Sequence, residues 1–123
     1  MSFAAYKVIH ILSVLFVFTS LGALMLASRE GVERGNGRKL AGMTHGIALL
    51  VVLVAGFGAL ARLGMPNPAA WPLWVWIKAL VWLALGGIIV LIRKSPRLGS
   101  LLWWLIPVLG GIAAWAAIYK PGA

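Results

Sequence analysis

The chain has two histidines, His10 and His45, and both fall inside long apolar runs. A neutral imidazole is a metal ligand and a proton carrier, and in hydrocarbon its ring N–H must find an acceptor. On helical spacing His10 shares a stripe with Tyr6, Ser13, Val17, Ser20 and Leu24, whose hydroxyls mark the side that faces other helices. His45 shares one with Ala41, Gly42, Ala48, Val52, Ala55, Gly56 and Ala59. Such a small-residue stripe either lets helices pack closely or leaves room for a flat, bulky cofactor. The plain alternative for each histidine is a ring satisfied by Ser, Thr or a backbone carbonyl.

Lys78 is the third residue of interest, about two turns inside an apolar run and too deep for an ordinary interfacial position. The only carboxylate side chains are Glu30 and Glu33, both between the first two runs. No acidic residue is available inside a span, which removes the usual carriers of proton-coupled transport. It also separates the chain from the small multidrug-resistance transporters, which rely on a first-span glutamate. Paired-carboxylate glycosidase chemistry and a Ser-His-Asp triad are absent too. With no cysteine, disulfide frameworks and thiolate zinc or iron–sulfur sites are excluded.

The elements that position these residues follow from composition. Of 123 residues 63% are hydrophobic and 11% charged, with a mean hydropathy of +1.01, which excludes a soluble enzyme and a disordered tail. Four apolar runs, about 3–28, 40–63, 72–92 and 98–119, are each long enough to cross a hydrocarbon core of ~30 Å. The expected fold is all-α and integral to the membrane: an antiparallel bundle of four transmembrane helices, one membrane domain over 1–123. The first run is too long for the apolar core of a cleaved signal peptide. Pro66 and Pro68 close the second span, Pro72 suits the first turn of the third, and Pro107 is a candidate kink in the fourth. Trp71, Trp74, Trp103, Trp104, Trp115 and Tyr119 fall mostly near span ends, as an interfacial belt does, whereas Trp82 lies mid-span as a core or lipid-facing residue. Gly86-Gly87 and Gly110-Gly111 allow close helix packing.

The net charge of +9 sits at the ends of the runs, so it reads as membrane topology and not as a nucleic-acid footprint. Arg29, Arg34, Arg38, Lys39, Arg93, Lys94 and Arg97 gather on one side, which is then cytoplasmic, with both termini outside. Lys7, Arg62, Lys78 and Lys120 fall towards the outer side without a nearby protein anion. They either snorkel to lipid phosphates or pair with a bound anion such as a ligand carboxylate.

Depth decides which residues can cooperate. His10 and Lys78 lie equally far along spans that run in the same direction. His45 enters from the other end and falls opposite Leu21, roughly 16 Å from the level of His10 at 1.5 Å rise per residue. The two histidines of one protomer therefore do not clamp a single haem. They serve separate haems, meet across a dimer, or only one of them is a ligand. Haem nevertheless fits the inventory: imidazole for iron, small and aromatic residues for the macrocycle, and cations for the propionates. Those cations are Arg62, Lys78 and Lys120 on one side and Arg38, Lys39 or Arg93 on the other. Without a C-x-x-C-H motif the haem would be of b type, one or two per protomer.

Four stretches in order, Lys7-Val8-Ile9-His10, Met43-Thr44, Trp74-Val75-Trp76-Ile77-Lys78 and Tyr119-Lys120-Pro121, make the chain resemble the HemJ-type protoporphyrinogen oxidases and their haem-binding relatives. The resemblance runs through all four spans. It implies haem b, with His10 and Lys78 as the matched functional positions. Three departures bear on the oxidase activity more than on haem. Ala27-Ser28-Arg29-Glu30 replaces a basic, histidine-bearing stretch, Phe16 and Phe18 occupy a region where a tryptophan is expected, and His45 stands where the family tends to have proline.

The expectation is thus a b-type haem protein of a bacterial inner membrane with a redox or electron-transfer role. His10 and His45 are the candidate iron ligands, and Lys78 and Arg62 the further cofactor contacts. A homodimer and a quinone or redox-protein partner go with it, and nucleic acid does not. A HemJ-like oxidase and a cofactor-free transport or assembly subunit are the alternatives.

Overall fold

The computed structural model describes residues 1–32, 34–65 and 67–122, so Glu33 and the Pro66 of the second connection lie outside it. Its helices are α1 (Phe3–Arg29), α2 (Asn36–Arg62), α3 (Leu73–Lys94) and α4 (Gly99–Tyr119), with short 3-10 turns at Pro68–Ala70 and Pro96–Leu98. Among the described residues there is no strand. Each helix is long and apolar enough to cross a membrane. Leu40, Ile47, Leu80 and Ile118 are each more than 60% exposed, at 68, 62, 65 and 76%. A surface of that kind is untenable in water and ordinary against acyl chains. The protein is an all-α, multi-pass membrane bundle.

Three helices begin within about a residue of their apolar runs, but α2 starts at Asn36, before residue 40. Gly35 enters the helix at φ 133, a conformation glycine tolerates. Arg38 then ties the polar first turn back to α1, donating from Nη1 to Ser28 Oγ and to the Val32 carbonyl, both at 3.0 Å. Hydropathy cannot find a turn that stands outside the hydrocarbon. At the start of α1, Ser2 Oγ accepts from the Ala5 amide at 3.1 Å, an ordinary N-cap. Helix α4 continues through Pro107 to Tyr119.

The bundle is two hairpins. Helices α1 and α2 pack most extensively, α3 and α4 next, and α1 also meets α3 and α4. Helices α2 and α3 touch sparingly, while α2 and α4 lie on the diagonal, out of contact. Glycine sets the close approaches: Gly58 receives the ring of Tyr6, and Gly110 that of Phe18, where an added Cβ would stand 2.7 Å from Cζ. Gly86 faces Leu49, whereas Gly87 and Gly111 face open space, so each glycine pair uses one member inside the protomer.

The apolar core is in two parts. One joins Val17, Leu21 and Met25 of α1 to Ala48, Leu85, Ile88 and Leu102 on the other three helices, towards the arginine-rich end. The other gathers Leu60, Trp74, Val75 and Ala116 at the end that carries both termini. Along α3, Lys78 falls between Val75 of the second cluster and Val81 of the first.

The end of α4 completes the start of α3. Pro72 gives α3 no side-chain cap; instead the Trp74 amide donates to the Pro121 carbonyl at 3.0 Å. This requires Lys120 to adopt a left-handed conformation, φ 50 and ψ 57, the one non-glycine residue among those described with positive φ.

Candidate functional site

Between the two apolar clusters the interior turns polar. His10 is half-buried on α1 and meets α2, where an added Cβ at Gly56 would stand 3.3 Å from its Cε1. Its Nδ1 lies 2.9 Å from the Val52 carbonyl oxygen. A carbonyl only accepts, so Nδ1 carries the proton, and in the neutral ring the lone pair falls on Nε2. A backbone carbonyl on the second ring nitrogen is the usual way a ligating histidine is oriented. The stripe hydroxyls do not serve the ring: Ser13 donates to the Ile9 carbonyl at 2.8 Å and Ser20 to that of Val17 at 3.0 Å.

Lys78 stands within electrostatic reach of His10, as the equal depths along α1 and α3 require. It is half-buried, with Nζ 5.9 Å from the centroid of the Trp74 ring one turn back. Side chains on a helix lean towards its N-terminus, so the ammonium rises towards the end that carries the chain termini. There Lys120 Nζ lies 5.6 Å from the same ring, and both Lys120 and Lys7 act electrostatically on Lys78. Arg62 is exposed at the last turn of α2, at this same end.

His45 is elsewhere. It is 3% exposed, and its Nε2 lies 3.3 Å from the Leu85 carbonyl of α3. From α3, the indole of Trp82 donates back to the Leu49 carbonyl of α2 at 2.9 Å. These two long planar side chains form a reciprocal clasp across α2 and α3, which touch least of the helix pairs in contact. With Nε2 donating, the lone pair of a neutral His45 falls on Nδ1, beside its own backbone. The structure thus brings His10 to Lys78 and keeps His45 apart from both. Gly42 and Gly46, which flank His45 in sequence, face open space in the protomer.

Sequence reasoning missed three contributors. The first is the α2–α3 clasp of Trp82, which a mid-span tryptophan does not announce. The second is the seating of His10 against Gly56. The third is the return of Lys120 onto Trp74, for which the Pro121-Gly122 pair was a turn signal.

Among the described residues no three His, Cys, Asp or Glu side chains converge, so no metal site built from side chains alone forms there. A macrocycle that brings its own four nitrogens asks less of the protein, one or two axial ligands. His10 has a ring nitrogen, Nε2, left with its lone pair, and Lys78, Lys120 and Arg62 are cations at this end.

No protein-family model matches this chain, and no curated protein or solved structure matches it. The fold therefore defines the class by itself: an integral membrane protein of four apolar helices.

Proposed function

We propose that this protein is a b-type haem protein of the bacterial inner membrane with an electron-transfer role, and that His10 is the iron ligand. One observation carries it. In the polar layer between two apolar clusters, His10 commits Nδ1 to the Val52 carbonyl and so keeps Nε2 as the donor atom, at the depth of Lys78. Haem supplies reversible one-electron chemistry when bound. The chain's own part is to orient the imidazole through Val52 and to keep water out with the two apolar clusters. Lys78 offers a second nitrogen to the iron if deprotonated, or a counter-charge to a propionate, as Arg62 does from the end of α2. His45, the other candidate ligand, is assigned to the α2–α3 clasp, which leaves one haem per protomer. A homodimer with a quinone or redox-protein partner completes the proposal.

The test is an absorption spectrum of detergent-purified protein, oxidised and dithionite-reduced, with a pyridine haemochrome assay. A sharp reduced α band and a haem-to-chain ratio near one are expected. Protein that stays colourless after haem is added back overturns it.

The HemJ-like alternative has support of its own in the cations gathered at one end, which suit the several carboxylates of a porphyrinogen. Restoration of haem synthesis in a strain lacking its own oxidase is its test. The cofactor-free alternative draws on the carbonyl partner of each histidine, and colourless, folded protein from haem-replete cells is its signature.

A further inference from the structure

The end of the bundle that carries both chain termini concentrates positive charge without side-chain carboxylates. Lys78 from α3 and Lys120 from the end of α4 share the ring of Trp74, at 5.9 and 5.6 Å, and Lys7 of α1 lies within electrostatic reach. The chain's only acidic side chains, Glu30 and Glu33, belong to the α1–α2 connection at the opposite end. An aromatic face attracts a cation but does not neutralise it. Lys78 and Lys120 on one ring, with Lys7 over the Phe3 ring of α1 at 5.8 Å and within electrostatic reach, repel one another beside hydrocarbon more strongly than they would in water.

The gathering is also built. Lys120 reaches Trp74 from a left-handed backbone conformation, and the Trp74–Pro121 hydrogen bond holds it there. A lysine in a left-handed terminal turn, where glycine is favoured, makes sense if its charge is needed at that place.

We propose that Lys7, Lys78 and Lys120 form an oxyanion site that takes a phosphate group, with Lys78 rooted deeper in α3 and its ammonium reaching up towards the headgroup level of the other two. A phosphate has several acceptor oxygens and can bridge two or three ammonium groups at once. Position favours a lipid as its source. Lys7 and Lys120 lie near the ends of their helices, and Trp71 stacks against the exposed Trp76 there, as interfacial tryptophans do, whereas Trp74 is buried in the core and does not belong to the belt the sequence suggested. Of the three lysines only Lys78 is also assigned to the proposed haem, so the Lys120 variant tests the oxyanion site apart from the electron-transfer role.

Native mass spectrometry of the intact detergent-solubilised protein tests it, because lipid, phosphate and haem adducts differ in mass. A form with a C-terminal extension controls for any contribution of the chain's terminal carboxylate. The protein is titrated with phosphatidylglycerol, phosphatidylcholine and inorganic phosphate. One phosphatidylglycerol per protomer is expected, at least tenfold preferred over phosphatidylcholine and weakened about tenfold by Lys78→Gln or Lys120→Gln. Arg97→Gln, at the opposite end, should leave it unchanged. A phosphate adduct with the same variant dependence, but no lipid preference, keeps the oxyanion site and assigns it a soluble source. Binding that ignores the headgroup, or that Arg97→Gln weakens equally, overturns the proposal. So does loss of haem in the lysine variants with lipid binding intact. Circular dichroism of each variant checks that the helices are retained.

Discussion

His10 and His45 are the same residue type in similar apolar settings, yet their bonded nitrogens differ, and that difference sets what each can do. His10 holds the Val52 carbonyl through Nδ1, and His45 holds Leu85 through Nε2. If His10 ligates haem as proposed, His10→Ala should remove at least nine-tenths of it or shift its Soret band, while His45→Ala should leave the spectrum unaltered. Unchanged haem in the first variant, or lost haem in the second, would reverse the assignment. Lys120 offers a residue-scale test of stability against function. A left-handed conformation costs a non-glycine residue about 1 kcal/mol, so Lys120→Gly should raise the thermal unfolding temperature in detergent. The same change should weaken anion binding. A variant that melts lower would show that the left-handed turn carries no such cost.

At the level of the helices, stability comes from close approach and a few side-chain-to-carbonyl bonds, since lipid is as apolar as leucine and gives helices no hydrophobic reason to associate. Helices α1 and α2 approach closely where Gly58 admits Tyr6 and Gly56 admits His10. Gly58→Leu should push the Tyr6 ring out and cost about 1–3 kcal/mol, as overpacking does. A drop in the detergent melting temperature of the hairpin is the readout. Helices α2 and α3 depend instead on the His45–Trp82 clasp. Trp82→Phe keeps an aromatic ring and deletes the donor to Leu49. The expected cost is about 0.6 kcal/mol, the usual worth of one interhelical hydrogen bond in a membrane. Equilibrium unfolding in mixed micelles measures it, and a neutral Trp82→Phe would mean that ring packing alone joins the two helices.

For the whole molecule, charge predicts which end faces which side. With seven cations at one end, the positive-inside rule predicts that the α1–α2 and α3–α4 connections face the cytoplasm. The chain has no cysteine, so single cysteines report this without background. In intact spheroplasts a membrane-impermeant maleimide should label Asn67→Cys directly and Val32→Cys only after lysis. The opposite pattern would place the termini inside and move the proposed anion site to the inner leaflet. Much of this architecture is legible in the residues themselves. Four spans, their antiparallel order, the buried faces of α1 and α2, and the equal depth of His10 and Lys78 all follow from hydropathy, helical period and a rise of 1.5 Å per residue. These are local or one-dimensional properties. What the sequence left open depended on a neighbouring helix. The acceptor of each histidine, the partner of Trp82, the unused glycine of each pair and the return of Lys120 onto Trp74 are contacts between residues far apart in the chain. No local pattern encodes a backbone carbonyl, because every residue has one. Only the packed bundle decides that Val52 and Leu85 are the carbonyls that meet the two rings, and with them which nitrogen of His10 keeps its lone pair.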